Sequence, residues 1–277
     1  KRTILKNLLA LFFTLIILLL FFIYLIIDRS AISAGKEKVN IGYIVAGYPN
    51  LSFTEEFLRK LDQSALDMLE IGIPYSDPLA DGKLIAEASF AASQAGVTTD
   101  VVFDLLEKVK GEVHKPLLFL VYYNLLFAYG VEAFVQRCTE VGISGLIIPD
   151  LPYEEATAIL PVLKAHNIAF IPLVSVTSGA RIAQIVRLGE GGFIYAVGSL
   201  GVTGSKQVSL DRLQRFTDEI RQHTSLPIAL GFGIKTHSDV ETMRHYADGV
   251  IVGTSIVAYT QSNNVDNVIS EIGKIFG

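Results

Sequence analysis

From about residue 40 onward the chain alternates short apolar runs with amphipathic stretches. Runs rich in β-branched and aliphatic residues fall at 41–45 (IGYIV), 66–71 (LDMLEI), 117–122 (LLFLVY) and 145–148 (GLII). They continue at 168–174 (IAFIPLV), 193–197 (FIYAV), 226–230 (LPIAL) and 249–252 (GVIV). Between them, helical spacing is read over Thr54–Leu61, Val131–Val141, Glu154–His166, Ala180–Arg187 and Asp211–His223. Strands that are apolar nearly throughout, rather than at alternate positions, predict a sheet covered on both faces, as parallel βα units make. Eight such runs in this span predict an α/β fold of the (β/α)8 TIM barrel type rather than an open doubly wound sheet. The interval 72–116 is longer than the others and predicts an extra helix near 83–95, ahead of a regular one at 100–110.

Residues 8–27 break this rhythm. They read LLALFFTLIILLLFFIYLII, twenty residues with no charge, Gly or Pro. As a helix rising about 1.5 Å per residue, that run covers the roughly 30 Å hydrocarbon layer of a bilayer. It predicts an N-terminal transmembrane helix in a segment 1–29, followed by a barrel domain over 30–277. The alternatives are a non-native or mis-started N-terminal segment and a cleaved signal peptide, with Ala31-Ile32-Ser33 as a small-residue cleavage site, although signal h-regions usually run about 7–15 residues. Basic residues stand on both sides (Lys1, Arg2, Lys6; Arg29, Lys36, Lys38), so the positive-inside rule leaves the orientation open.

This run accounts for a mean hydropathy of +0.45 over 277 residues. The net charge is −5, and the rest of the chain is more acidic still once Lys1, Arg2, Lys6 and Arg29 are set aside against Asp28. An acidic domain of this kind does not suit general nucleic-acid binding, which relies on basic groups to neutralise phosphates. A single cysteine, Cys138, excludes an internal disulfide framework. Neither zinc-ligand spacing, a dinucleotide fingerprint nor a Gly/Lys phosphate loop occurs in the sequence.

Barrels carry their chemistry at the C-terminal ends of the strands. The second run continues as LEIGIPYSDPLADG, which places Glu70 inside an apolar strand and Asp81 in a loop bracketed by Pro78 and Gly82. A carboxylate in an apolar strand is costly unless it is paired, hydrogen-bonded or protonated. One desolvated acid on a strand and one on a mobile loop suit proton transfer at two atoms of a substrate. Pairing of Glu70 with a neighbour inside the barrel, and an ordinary turn role for Asp81, remain the plainer readings. Asp77 competes with Asp81 for the loop position. Three late loops carry glycines and hydroxyls: Gly201-Val202-Thr203-Gly204, Gly231-Phe232-Gly233 and Gly253-Thr254-Ser255. Such loops and the helix N-termini after them bind a phosphate through backbone N–H groups. Tyr43, Tyr122, Tyr195 and Phe232 supply walls for a flat apolar ligand, or pack the core. With no lysine inside a strand run and no histidine convincingly ending one, the residues point to acid/base chemistry on a phosphorylated substrate without metal or cofactor.

Five segments in order resemble the α subunit of tryptophan synthase, across about residues 40–260. They are LEIGIPYSDPLADG (69–82), VYYNLLFAYG (121–130), GVTG (201–204), GFGI (231–234) and ADGVIVGTSIV (247–257). The resemblance implies a cytoplasmic, metal-free (β/α)8 lyase. Its reaction cleaves indole-3-glycerol phosphate to indole and glyceraldehyde 3-phosphate, and its partner is a pyridoxal-phosphate-dependent β subunit in an α2β2 assembly. It implies Glu70 and Asp81 as the catalytic pair, and Tyr43, Leu120, Tyr122 and Ile147 as lining of the indole cavity. Phosphate contacts fall on Gly204, Phe232, Gly233, Gly253 and Thr254, with Tyr195 and Thr203 near the site and its closing loop. The 75–82 loop and the 122–130 segment resemble surfaces that meet the β subunit. Departures from the family pattern are Ser199-Leu200 where an Arg is frequent, Thr254 for the commoner Ser, and Val45 where a Thr often stands. The membrane-spanning segment is also foreign to the family. Rival readings are a different phosphosugar barrel, such as an isomerase with two carboxylates, and a tethered subunit that only activates a β partner. A free-standing homologue that releases indole without a β subunit would share the same chemistry.

Overall fold

A computed structural model describes residues 38–198, 210–231 and 233–277. Four strands come first: β1 (Val39–Val45), β2 (Met68–Gly72), β3 (Leu117–Leu120) and β4 (Ile143–Ile147). They are followed by β5 (Ala169–Phe170), β6 (Leu173–Ser175), β7 (Ile194–Val197), β8 (Ile228–Gly231) and β9 (Gly249–Val252). All pair in parallel, in the order β5-β4-β3-β2-β1-β9-β8-β7-β6. The two ends of that order are separated in sequence only by Ile171 and Pro172. The expected single strand over 168–174 is therefore two short ones, because Pro172 has no N–H to give the ladder. The kinked pair still bridges its neighbours: Ile171 N donates to Leu146 O at 2.9 Å, and Tyr195 N to Pro172 O at 2.9 Å. The sheet thus curls round on itself with helices outside, an architecture consistent with a (β/α)8 barrel.

Side chains alternate between the two faces of each strand. Val39, Ile41, Met68, Leu118, Ile147, Ile171, Phe193, Ala229 and Ile251 form a buried cluster inside the barrel. The other face packs against the helices in a larger core. Within it, Phe103, Phe119 and Phe134 meet with ring centroids 5.3–6.0 Å apart, joining α3 (Thr99–Val109) and α5 (Val131–Val141) to β3. Phe134 is fully buried. Phe134→Ala is expected to cost about 3–5 kcal/mol, read from urea unfolding, since the rigid neighbours leave most of the cavity open.

The helices follow local signals. Asn50 Oδ1 accepts from Phe53 N at 2.8 Å to start α1 (Leu51–Arg59), and Thr98 Oγ1 caps α3 through Val101 N at 3.3 Å. The extra helix appears as α2 (Lys83–Gln94), and α4 (Tyr123–Tyr129) precedes α5. The helix expected over 154–166 is broken into α6 (Tyr153–Ala156) and α7 (Leu160–Ala165), because Pro161 fits only a first turn. The stretch 180–187 begins as a 3-10 turn (Gly179–Arg181) before α8 (Ile182–Val186), and α9 is Leu210–Arg221. Besides α4, three helices carried no expectation: α10 (His237–Arg244), α11 (Thr254–Thr260) and α12 (Val265–Phe276). The Thr236/Asp239 capping box that opens α10 was their clearest sequence signal. The transmembrane helix expected over residues 8–27 lies outside the described residues. Among the described residues no helix is long and apolar enough to cross a membrane.

Candidate active site

Tyr43 and Glu70 face each other across the β1–β2 register. Met68 points into the inner cluster, so Glu70, two residues on, shares its inward face. Glu70 is 0% exposed, and neither carboxyl oxygen has a hydrogen-bond partner among the described residues. Burial therefore pushes its carboxyl well above the usual range, toward the protonated form. Among the described residues, no paired neighbour neutralises this interior acid.

Asp81 stands in the loop between β2 and α2. Its Oδ2 accepts from Tyr122 Oη at 3.1 Å, and the same Tyr122 oxygen accepts from Ala80 N at 3.0 Å. Burial raises the Asp81 carboxyl to about 6, against a lowering pull from the Tyr122 hydrogen bond. Asp77 is exposed and its carbonyl closes a tight turn with Leu79 N, whereas Asp81 is half-buried. The phenols of Tyr43 and Tyr195 are driven up, first by burial and then by the negative charges of Asp81 and Glu70. Both carboxyl groups thus lie within electrostatic reach of both tyrosines.

Tyr43, Asp81 and Tyr195 border a cavity of about 270 Å³ at the C-terminal ends of the strands. Tyr43, Asp81, Leu120, Tyr195, Gly233, Gly253 and Thr254 line it, as expected. Tyr122 reaches it through Asp81, and Glu70 lies buried on the inward face beside Tyr43. Ile147 does not line it: the residue is 0% exposed within the inner cluster, below the rim. The cavity position on that strand path belongs to Pro149, two residues further along the same face. By the same alternation Val197 follows Tyr195 into the lining, and Leu173, Ile251 and Ile85 complete an apolar wall that motif reading missed. Thr203, Gly204 and Phe232, with Ser199-Leu200, lie outside the described residues.

Two glycines make room for the tyrosine rings. A Cβ on Gly72 would sit 2.8 Å from Tyr43 Cζ, and one on Gly231 would sit 2.7 Å from Tyr195 Cε1. Gly72→Ala is expected to push the Tyr43 ring into the cavity and to lower kcat/KM by about ten- to a hundredfold. Steady-state kinetics with a parallel unfolding curve separates this from loss of fold.

No cationic side chain is among the described residues that line the cavity. Gly233 has φ +56°, which a residue with a Cβ adopts only with strain. Gly253 is the N-cap of α11, whose first N–H groups have no acceptor within the helix. Ser255 Oγ donates to Ile234 O at 2.9 Å and ties these two loops together. Among the described residues no group of three His, Cys, Asp or Glu side chains is placed to hold a metal. A larger cleft of about 400 Å³ opens near the N-terminal ends of the strands, between Met68, Pro116 and Phe193. Its charged lining residues, Lys164 and Glu190, are committed to each other at 2.8 Å, so volume alone does not select the chemical site.

The family model described as tryptophan synthase alpha chain matches residues 30–274. The chain belongs to the tryptophan synthase alpha chain family. It is 48% identical over 242 residues to the tryptophan synthase alpha chain of Campylobacter jejuni subsp. doylei, spanning 87% of this chain and 96% of that one. It is 41% identical over 241 residues to that of Bacillus cereus, spanning 87% and 93%. The structure of tryptophan synthase subunit alpha from Campylobacter jejuni superposes with a TM-score of 0.81 at 48% identity, covering 87% of this chain and 96% of that chain. A Mycobacterium tuberculosis tryptophan synthase chain gives 0.81 at 29% identity, covering 91% and 96%. Membership of the tryptophan synthase alpha chain family makes this an enzyme of tryptophan biosynthesis, a carbon–carbon lyase. Residues 1–29 precede the match.

Proposed function

We propose that the chain cleaves indole-3-glycerol phosphate by acid/base chemistry, with Glu70 and Asp81 as the catalytic residues. The observation that carries this reading is a buried strand carboxyl with no hydrogen-bond partner among the described residues and a loop carboxylate lining an apolar cavity, both within electrostatic reach of Tyr43 and Tyr195. The indole ring lies between Tyr43, Leu120 and Tyr195. Asp81 accepts the indole N–H and stabilises the positive charge that forms when C3 is protonated. Glu70, protonated because it is desolvated, delivers that proton to C3. Its carboxylate then takes the proton of the glycerol hydroxyl on the adjoining carbon. As that hydroxyl becomes an aldehyde, the C3–carbon bond breaks and its electron pair returns to the ring. Indole and glyceraldehyde 3-phosphate leave, and Glu70 has its proton back. The phosphate rests on N–H groups of Gly233, Gly253 and Thr254, which suits a lining without cations among the described residues; by resemblance Gly204 and Phe232 join them, and Thr203 belongs to the closing loop.

The product indole passes to a tryptophan synthase β subunit in an α2β2 assembly. Leu79 is 85% exposed on the Asp81 loop and Phe127 is 66% exposed on α4, apolar surface suited to such a partner. The barrel works in the cytoplasm as a domain over 30–277, with residues 8–27 as a membrane tether. The support for the tether is the length of that run and its lack of any charge, Gly or Pro, and fractionation of the full chain beside one beginning at residue 30 tests it.

The decisive experiment adds indole-3-glycerol phosphate to the full chain and follows both products, with and without a β subunit. Slow cleavage that accelerates with the β subunit is expected. Fast cleavage that ignores the partner removes the α2β2 part of the reading. No cleavage by folded protein in either case overturns the reading as a whole.

A further inference from the structure

Asp81 must hold one geometry toward the substrate, yet it sits on a ten-residue connection from Ile73 to Gly82 that contains two prolines. The root of that loop is fixed by Ser89 on α2, whose Oγ accepts from Tyr75 N at 2.8 Å and donates to Tyr75 O at 2.9 Å. Beyond Tyr75 the backbone bonds are local turns, Leu79 N to Asp77 O and Asp81 N to Pro78 O. Among the described residues, the hydrogen bonds that tie the loop tip to the barrel are the two made by Tyr122 Oη. Tyr122 is well suited to hold them. It lies between β3 and α4, is 3% exposed, and packs against the Tyr75 ring with centroids 5.1 Å apart. The end of β1 offers no alternative, because Val45 is apolar and buried there.

We propose that Tyr122 is a positioning residue: by accepting from Ala80 N and donating to Asp81 Oδ2, its hydroxyl orients the carboxylate so that Oδ1 meets the indole N–H. The proposal rests on the reading of Asp81 given above. Among the described residues, the titratable groups that face Asp81 are Tyr43, Tyr122, Tyr195 and Glu70. Burial and the neighbouring negative charge push all three phenols above their ordinary value, so none of them ionises near neutrality. The Tyr122 hydrogen bond opposes the burial that raises the Asp81 carboxyl, and removing it moves that carboxyl further up.

Tyr122→Phe keeps the ring and removes only the hydroxyl. The acid limb of kcat/KM is expected to move up by about one pH unit, the size of a hydrogen bond to a charged group. The rate then falls about tenfold below the limb and recovers to within about threefold above pH 8. NMR titration of 13C-labelled aspartate in the free protein is expected to show the same upward move for Asp81, with no substrate present. A uniform loss of rate at every pH with an unmoved Asp81 titration would overturn the proposal, as that is what a purely packing role gives. In an Asp81→Asn background the loss of the hydroxyl is expected to cost nothing further, whereas additive losses would show that Tyr122 acts elsewhere. Should wild-type protein fail to cleave indole-3-glycerol phosphate, the functional reading falls while the NMR titration still decides the positioning role.

Discussion

Glu70→Gln is expected to lower turnover of indole-3-glycerol phosphate by about a thousandfold or more with the fold intact, the range seen when a general acid/base is removed. The amide is nearly isosteric with the carboxylic acid and fits the same buried slot. It cannot release a proton to indole C3, and it cannot take one from the glycerol hydroxyl. Near-wild-type rates in this variant would end the assignment of the strand carboxyl. Stability should move the opposite way when the group is made apolar. Glu70 is fully buried, and its oxygens have no partner among the described residues, so the fold carries a desolvated polar group at a cost in stability. Glu70→Met is expected to raise stability by about 1–3 kcal/mol, the usual cost of an unsatisfied buried polar group. The sign with pH follows from the raised carboxyl. The folded state holds a proton that the unfolded state releases near its ordinary value. The wild-type protein therefore loses stability as pH rises from there through the folded-state value, and the advantage of Met grows over that range. Urea unfolding of both proteins at pH 5 and pH 8 tests the sign, and a gain that shrinks at pH 8 would contradict it.

Much of this site is legible in the sequence because strand alternation is strict. An acid at position 70 must share a face with Met68 and Gly72, the structure turns that face inward, and no paired cation is available within that run. The same rule corrects the indole cavity: Ile147 and Pro149 share a face, but only the second reaches the rim, and motif matching does not report depth along a strand. Depth is a property of closure, set by where each strand enters the curled sheet. The broken strand at Ile171-Pro172 was visible as a proline in an apolar run, and the split at Pro161 was visible for the same reason. The short helices after the late strands were less legible, since seven or eight residues give little periodicity and their caps are the main signal. The bond between Tyr122 and Asp81 lay beyond reach. It joins residues 41 positions apart, and nothing in either segment names the other.

Asp81→Asn is expected to reduce kcat/KM by about a hundred- to ten-thousandfold and to abolish the acid limb of the pH profile. In the wild type the carboxyl titrates at about 6, above its ordinary value because the cavity desolvates it. Below that pH it is protonated and cannot hold the positive charge that builds on the indole nitrogen, so kcat/KM should fall about tenfold per unit on the acid side. An asparagine carbonyl still accepts the N–H, but it brings no charge. The residual rate should therefore be small and flat from pH 5 to 7. Stability again carries the opposite sign, because the raised carboxyl binds its proton more tightly when folded. The wild type loses stability as pH climbs from about 4 through about 6, and the neutral amide removes that loss. The two carboxyl groups separate on this point. In the proposed reaction Glu70 is the proton carrier and has to be protonated when substrate arrives, whereas Asp81 is the anion and must not be. A strand that excludes water suits the first, and a loop held at one oxygen by a phenol suits the second. If the Asn variant kept an acid limb near pH 6, that limb would belong to another group, and Asp81 would lose its place in the reaction.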